Sequence, residues 1–216
     1  MNMRLSFVID MGCEIPEAAS YPDGTFGPDR NITRAEAAAV FARISNDYQL
    51  VLPASGTESF TDVAGGHWAK EYIESVLKSG FMFGYEDGSF RPEASFTRGE
   101  AAVVVARFKQ LKPAEGQLFS DTADHWANGA INALKNANMI SGYPDGTFRP
   151  DQPIVRKEFV VMVNRMLQRG PIQNASVSTW SDVPVTNAYF KDIEEASTTH
   201  DYAVYSNGAE LVKRGK

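Results

Sequence analysis

Apolar residues recur at helical spacing in several segments of the chain, and turn-forming residues separate these segments. In the segment "HWAKEYIESVLKSG", an apolar stripe is followed by Gly80, a residue that typically ends a helix. The stripe consists of Trp68, Ile73, Val76 and Leu77. The pattern predicts an amphipathic helix that buries one face.

A second kind of helix is predicted in "NITRAEAAAVFARI", which begins at Asn31. Thr33 is followed three residues later by Glu36, directly before an apolar run, and this spacing is typical of a capping box at a helix start. The apolar positions again follow the helical period: Ala37, Val40, Phe41 and Ile44.

The second helix recurs together with the loop that precedes it. The segments "GTFGPDRNITRAE", "GSFRPEASFTRGE" and "GTFRPDQPIVRKE" begin at Gly24, Gly88 and Gly146 and align without gaps. In each copy the first glycine follows an aspartate, and this pair predicts a tight turn because glycine supplies a positive φ. The repeating unit is therefore a helix, a turn-rich loop and a helix.

The first-helix segment also occurs three times, beginning at Ser59, Leu118 and Thr179. The last copy lacks a second half, and the N-terminal copy of the second half lacks a first. One unit of about 55 to 60 residues buries too little surface to be very stable alone, so we expect three units to share one core. The sequence predicts a mainly α fold in which the two terminal half-modules close a pseudo-threefold ring with neighbouring termini.

We expect a single domain over residues 1–216. It would consist of a second half with an N-terminal extension (1–50), two full modules (57–111 and 117–169), and a first half with a tail (178–216). Residues 1–20 match no repeat element and suggest no function.

Composition limits the classes of function. The chain is 43% hydrophobic and 22% charged, as expected of a globular protein. Its net charge of −6 argues against a nucleic-acid partner, and the single cysteine, Cys13, excludes an internal disulfide. Arg4 and Asp10 confine the N-terminal apolar run to five residues, so we expect no signal peptide and no membrane partner. The chain is either cytoplasmic or a fragment of a longer exported protein.

Three arginines occupy matching positions beside the predicted helix starts: Arg34, Arg98 and Arg156. Cations are unusual there, because the helix dipole is positive at its N-terminus. Unpaired N–H groups at a helix start, together with a guanidinium, would bind a carboxylate or phosphate well. Alternatively, each arginine pairs with a nearby acidic side chain or lies along the surface.

Trp68 and Trp126 open the first helix of their modules, where an indole would suit a sugar face or the core equally well. The third copy has Ala188 at this position, so we expect the Arg34/Trp68 and Arg98/Trp126 grooves to bind best and the Arg156/Ala188 groove least. Trp180 aligns with phenylalanines of the other copies and is predicted to pack in the core.

The motifs "HWA", "GYEDGSFRP" and "FTRGEAA" resemble those of the S-layer homology (SLH) module of bacterial surface proteins, from about Tyr21 to about Tyr202. The resemblance implies three modules in a pseudo-threefold prism, as in Gram-positive surface proteins. It also implies noncovalent anchoring to secondary cell-wall polysaccharide linked to peptidoglycan, often through pyruvylated sugars, in grooves between modules that use the arginine of "TRAE".

The candidate ligand-binding residues combine the repeated arginines and tryptophans with the loop positions that could form the groove floor. They are Arg34, Arg98, Arg156, Trp68, Trp126, Gly84, Tyr85, Gly142, Tyr143 and Lys157. In the third copy Val155 replaces the capping threonine, at a cost of about 1 kcal/mol, while Lys157 adds a second cation.

No catalytic motif or calcium-loop pattern occurs, so we expect no enzyme activity, metal or cofactor. The chain should be monomeric as an isolated domain, at the cell wall or cell surface. The alternative function is a structural or protein-interaction module of the same architecture without glycan binding. A third class, an enzyme, would need a catalytic domain outside these residues.

Overall fold

The computed structural model describes residues 4–5, 23–47, 59–197, 200–204 and 210–213. These residues form six α-helices and three short strands. The helices are α1 (Arg34–Asp47), α2 (Lys70–Lys78), α3 (Arg98–Phe108), α4 (Asn128–Asn136), α5 (Arg156–Met166) and α6 (Phe190–Ser197). The strands are β1 (Arg4–Leu5), β2 (His200–Val204) and β3 (Glu210–Lys213). The predicted mainly helical fold of helix-loop-helix modules is confirmed.

The chain divides into two compact units. One comprises residues 31–154 and contains α1 to α4; the other comprises residues 1–30 and 155–216 and contains α5, α6 and the strands. Helices pack in pairs, α1 with α2 and α3 with α4 in the first unit and α5 with α6 in the second. The grouping of all modules into one domain stays a prediction, and Cys13 and Tyr21 lie outside the described residues.

The predicted capping boxes are formed at α1 and α3. At α3, the Glu100 backbone N–H donates to the Thr97 hydroxyl over 3.2 Å, and the Thr97 N–H donates to the Glu100 carboxylate over 2.8 Å. Thr33 and Glu36 make the same reciprocal pair at α1. Helix α5 starts after Val155, which offers no side-chain cap, as its sequence predicts.

Three equivalent residues of the loops meet in the unit of residues 31–154. The Ile32 N–H donates to the Ile154 carbonyl, the Ile154 N–H to the Phe96 carbonyl, and the Phe96 N–H to the Ile32 carbonyl, over 2.8 to 3.1 Å. All three side chains are fully buried. These bonds form a closed ring, which we call the loop ring, and it gives this unit the local threefold relation that the repeats predict.

The other unit completes a module from the two ends of the chain. Asp182 lies two residues after Trp180, and its carboxylate accepts hydrogen bonds from the backbone N–H groups of Phe26 and Gly27 over 2.8 Å each. Asp62 and Asp121 accept the equivalent pairs of N–H groups within the full modules. The C-terminal half-module therefore engages the N-terminal loop as a full module engages its own loop.

The strands also bring the two ends of the chain together. β1 pairs antiparallel with β2, with Arg4 opposite Asp201, and β2 pairs antiparallel with β3. The prediction of neighbouring termini is thus confirmed. Within the described ranges, none of the helices combines the length and apolar character that crossing a membrane would require.

Candidate functional site: a pocket beside Arg34

A pocket of about 180 Å³ opens in the unit of residues 31–154. Its walls come from successive repeats: the start of α1, the loop after α2, helix α3, and the segment before α4. The lining includes four of the predicted site residues, Arg34, Gly84, Tyr85 and Trp126. The structure therefore brings together residues that lie up to 92 positions apart in the sequence.

Arg34 is almost fully buried, with 4% of its surface exposed. Its Nε donates to the Phe90 carbonyl over 2.8 Å, and its Nη2 donates to the Phe83 carbonyl over 3.0 Å. The guanidinium also lies 4.8 Å from the Tyr85 ring centre and 4.7 Å from that of Phe90. These contacts hold the side chain in one place and account for a cation at a helix start.

Glu100 is the acidic partner of Arg34 in the pocket wall. Its carboxylate accepts hydrogen bonds from Arg34 Nη1 and from the Tyr85 hydroxyl, the latter over 3.1 Å. Its other oxygen accepts the Thr97 N–H of the capping box. Of the two interpretations that the sequence allows, pairing of Arg34 with an acidic side chain is therefore present.

Tyr85 stands between two arginines. Besides Arg34, the guanidinium of Arg91 lies 3.9 Å from its ring centre and pairs with Asp87 over 3.0 Å. Burial raises the pKa of the Tyr85 phenol, and Glu100 adds to this effect while Arg34 opposes it. Such cation–π contacts fix the orientation of the ring.

Gly84, next to Tyr85, is required by packing. A Cβ added there would lie 2.2 Å from Phe60 Cε1 and 2.7 Å from the Ser89 carbonyl oxygen. Gly142 is in the same situation against Phe119. These glycines let the loop approach the core closely, and Gly84 thereby forms part of the pocket floor.

Trp126 lies at the pocket with 65% of its surface exposed. The alternative of a core tryptophan is therefore wrong for Trp126. The predicted pairing of grooves is wrong as well, because Arg34 shares its pocket with Trp126 and not with Trp68. The reason is that α1 and α3 form the pocket together with the segment before α4, which carries Trp126. Trp68 is half-buried and contacts His67 and Tyr72.

Arg107, near the end of α3, also lines the pocket. Its Nη1 donates to the Phe81 carbonyl over 3.1 Å, and its guanidinium lies 4.8 Å from the exposed Phe83 ring. Burial lowers the pKa of this guanidinium from its ordinary value, but an arginine remains charged at neutral pH.

A second cluster in the same unit repeats part of this arrangement. Arg98 Nε donates to the Phe148 carbonyl over 2.8 Å, and its guanidinium lies 4.9 Å from the Tyr143 ring centre. The guanidinium of Arg149 lies 3.8 Å from the centre of the same Tyr143 ring and forms an ion pair with Asp145. Arg98 and Tyr143, two of the predicted site residues, are therefore neighbours.

In the other unit, Arg156 is 2% exposed and its Nε donates to the Phe26 carbonyl over 2.8 Å. Lys157 forms an ion pair with Asp29, and this hydrogen bond raises the pKa of the lysine. Lys157 is thus paired within the protein. Trp180 is 7% exposed and packs 5.9 Å from the Phe26 ring, so its predicted core position is confirmed.

The backbone N–H groups at the helix starts are already occupied. At α1, the Arg34 N–H donates to the Ala94 carbonyl and the Ala35 N–H to the Pro92 carbonyl, each over 2.9 Å. The starts of α3 and α5 make the equivalent pairs of bonds. The expectation that unpaired N–H groups there would hold an anion is therefore wrong, because loop carbonyls take them.

Two arginines at these sites were not predicted from the sequence. They are Arg107 and Arg91. Arg107 lies nine residues after the arginine at its helix start, and the other two copies have Arg43 and Arg165 at this position. The loop position of Arg91 is occupied by Arg149 in the next copy. The ungapped alignment of the repeats carries both signals. In the part of the chain that the structure describes, no three His, Cys, Asp or Glu side chains cluster so as to hold a metal ion.

These features define a tandem helix-loop-helix repeat protein with a polar and aromatic pocket between successive repeats. Residues 19–38, 59–102 and 118–160 match the model of the S-layer homology domain. The chain belongs to the S-layer homology family.

Among similar proteins is a "Cellulosome-anchoring protein" of Acetivibrio thermocellus, 38% identical over 208 residues, which cover 93% of this chain and 46% of that protein. "Cell surface glycoprotein 1" of the same organism is 38% identical over 207 residues, 89% of this chain and 9% of that protein. An "S-layer protein" of Bacillus licheniformis is 31% identical over 112 residues, 51% of this chain and 13% of that protein. The chain thus spans less than half the length of these relatives.

Proposed function

We propose that this chain anchors a surface protein noncovalently to the bacterial cell wall. It would do so by binding secondary cell-wall polysaccharide, linked to peptidoglycan, in the pocket beside Arg34. The observation that carries the proposal is the exposed Trp126 indole, which shares a small pocket with Arg34 and Tyr85. Membership of the S-layer homology family and similarity to proteins named as anchoring and S-layer proteins support the anchoring role.

The chemistry of the pocket suits a sugar. An indole face packs against the apolar C–H surface of a sugar ring, and its N–H donates to a hydroxyl. The volume of about 180 Å³ is below the roughly 300 to 1,000 Å³ of clefts that take drug-sized ligands. The pocket would therefore hold one sugar residue with its substituent.

The charges of the pocket favour an acidic substituent on that sugar. Two arginines, Arg34 and Arg107, line it together with one carboxylate, Glu100. A pyruvyl ketal carboxylate or another anionic group on the glycan would balance the remaining positive charge. The binding role is noncatalytic, and the protein would act at the cell wall or cell surface.

The remaining predicted residues form a second part of the proposal. Arg98, Gly142 and Tyr143 reproduce contacts found around Arg34, Gly84 and Tyr85, and we infer that they serve a second binding site. Trp68, Arg156 and Lys157 stay predicted ligand contacts. Several weak sites on one chain would add avidity at the wall.

The test uses wall sacculi, with and without the secondary polysaccharide, and the Trp126→Ala variant. This substitution removes an exposed side chain, so the fold should be retained while affinity for intact sacculi falls by about tenfold or more. Leu118→Ala is the matched control, because Leu118 is 46% exposed and does not line the pocket. It should bind like the wild type.

Equal binding of the wild type to stripped and intact sacculi would overturn the glycan proposal and favour the alternative of a protein-interaction module. Unchanged binding of Trp126→Ala would overturn the choice of pocket.

A further inference from the structure

We propose that His125 is a positioning residue for ligand binding, because it holds the exposed Trp126 indole in the orientation in which the pocket takes a sugar. This inference rests on the proposed function, which Trp126 carries. A tryptophan with 65% of its surface exposed would otherwise turn among rotamers, and a ligand would lose affinity by having to immobilise it.

The imidazole of His125 is itself held at both of its nitrogens. Its Nδ1 accepts a hydrogen bond from the Ala127 N–H over 3.1 Å, so the ring proton lies on Nε2, which donates to the Asp151 carboxylate over 3.1 Å. The side chain is only 11% exposed. The turn before α4 and the loop of the same module therefore fix the orientation of the ring.

A third contact joins His125 to α3, the helix that forms one wall of the pocket. A Cβ added at Gly99 would lie 3.0 Å from His125 Cε1 and 3.0 Å from the Pro150 carbonyl oxygen. Gly99 precedes Glu100, which lines the pocket. A glycine at this position lets the imidazole lie directly against the start of α3.

The Trp126 indole packs against this fixed ring. The ring centres of His125 and Trp126 lie 5.4 Å apart with an angle of 36° between the planes, which is within the range of a favourable aromatic pair. Because hydrogen bonds hold both nitrogens of the imidazole, it cannot follow the indole if the indole turns. The indole thus has a rigid support, while most of its surface stays exposed at the pocket.

The first full module repeats this arrangement. His67 Nδ1 accepts a hydrogen bond from the Ala69 N–H over 3.1 Å, and its Nε2 lies 3.3 Å from the Glu93 carboxylate. The ring centre of His67 lies 6.0 Å from that of Trp68, and the two planes are nearly parallel. The same support is therefore present beside the second of the predicted tryptophans.

The third copy separates the two roles of the histidine. Asn187 stands in its place, and the Asn187 Oδ1 accepts the Tyr189 N–H over 2.9 Å. The loop carboxylate of this copy, Asp29, pairs instead with Lys157, and Ala188 occupies the tryptophan position. The bond that closes the turn thus does not need an imidazole, whereas the paired imidazole occurs in the two copies that have a tryptophan.

The first experiment measures the mobility of each indole through the {¹H}–¹⁵N NOE of its Nε1–H group in ¹⁵N-labelled protein. The chain has three tryptophans, Trp68, Trp126 and Trp180. His125→Asn keeps an oxygen for the turn bond, as Asn187 does, but removes the ring. We expect the NOE of Trp126 to fall and those of the other two indoles to stay unchanged. An unchanged Trp126 NOE, or an equal fall at all three indoles, would overturn the proposal.

Two further variants keep the test decisive. His67→Asn is the matched control and should lower the NOE of Trp68 but not that of Trp126. Asp151→Ala alters a side chain that is 89% exposed and releases Nε2 of His125, so it should lower the Trp126 NOE by less than His125→Asn does. If His125→Asn does not fold, an unchanged Trp126 NOE in Asp151→Ala overturns the proposal.

The second experiment tests whether His125 acts through Trp126. Affinity for purified wall sacculi is measured for the wild type, His125→Asn, Trp126→Ala and the double variant. We expect His125→Asn to weaken binding about twofold to tenfold, the cost of immobilising one side chain on binding. In the Trp126→Ala background the same substitution should have no further effect, because the indole that it positions is gone. An equal loss in both backgrounds, or wild-type affinity in His125→Asn, would overturn the positioning role.

The two experiments separate the two proposals. If the wild type fails to bind sacculi, the proposed function is wrong, and the NOE measurements decide whether His125 orients Trp126. If the wild type binds sacculi and Trp126→Ala binds more weakly, but His125→Asn binds like the wild type, only the role of His125 is wrong.

Discussion

The surroundings of Arg34 and Arg156 share one set of contacts and differ in another. In both, Nε donates over 2.8 Å to a phenylalanine carbonyl of a loop, and the guanidinium lies less than 5 Å from that phenylalanine ring. Around Arg34 a capping threonine precedes the helix start, and an arginine stacks on Tyr85 in the loop. Around Arg156 the preceding residue is Val155, and Gly27 occupies the loop position of Arg91.

The shared contacts and the differing ones have different purposes. The bond from arginine to the phenylalanine carbonyl occurs in both units and also at Arg98, so it belongs to the construction of the module. The tryptophan position, occupied by Trp126 at the Arg34 pocket, varies among the copies, because the third copy has Ala188 there. Recurrence of a charged residue in a repeat is thus compatible with a structural role, and the varying neighbours indicate where a ligand binds.

The largest effect should come from removing the structural arginine. We expect Arg34→Ala to lower the free energy of unfolding by about 3 to 5 kcal/mol, because Glu100 would keep a largely buried charge without its cation. Urea denaturation measures this. The double variant Arg34→Ala with Glu100→Gln should be more stable than Arg34→Ala alone, since glutamine keeps the capping box without the charge.

An Arg34→Ala variant as stable as the wild type would contradict the structural role. It would favour the interpretation in which the helix-start arginine is held chiefly for a ligand.

The difference in helix caps gives an intermediate effect. Val155→Thr introduces at α5 the cap that α3 has at Thr97, and should stabilise the protein by about 1 kcal/mol; Thr97→Val should destabilise it by a similar amount. Thermal unfolding of the two variants measures both changes. Opposite signs are required, so a loss of stability in Val155→Thr would mean that the extended segment before α5 does not accept the capping geometry.

The smallest effect concerns the pKa values of the aspartates that precede the turn glycines. Hydrogen bonds from Ser89, together with Arg91, hold the pKa of Asp87 at about 2, and hydrogen bonds from Thr147, together with Arg149, do the same for Asp145. The pKa of Asp23 is lowered by Thr25 without an arginine. A depressed carboxyl pKa stabilises the fold above the ordinary pKa near 4, and this contribution is lost as the pH falls through about 2.

NMR titration of the carboxyl carbons tests this order. Arg91→Gly should raise the pKa of Asp87 and leave that of Asp145 unchanged. An unaltered Asp87 titration in this variant would mean that Ser89 alone sets its pKa.

Much of the fold could be predicted from local patterns, because the repeats align without gaps. The capping boxes at Thr33 and Thr97 follow from the threonine–glutamate spacing, and the missing cap at Val155 follows from its absence. The core position of Trp180 follows from its alignment with phenylalanines. Each of these follows either from residues close together in the sequence or from the alignment of the repeats.

The partners within the site could not be predicted in the same way. Trp126, and not Trp68, lies beside Arg34, because the packing of α1, α3 and the next repeat decides which residues meet. Likewise, the carbonyls that occupy the helix starts come from distant loops. Sequence comparison identifies equivalent positions, but it does not say which copies face one another.

The loop ring of Ile32, Phe96 and Ile154 fixes the number of loops that can meet at that point. Each residue donates its one backbone N–H and accepts one hydrogen bond within the ring, so none of the three N–H groups is left to donate to a further loop. Open repeat arrays grow by adding units at their ends, whereas here a fourth loop would have to break an existing bond. The intervals along the chain are still free to vary, because 64 residues separate the first pair and 58 the second. A longer connection between two of these loops leaves all three bonds intact, whereas the insertion of one further loop into the ring does not.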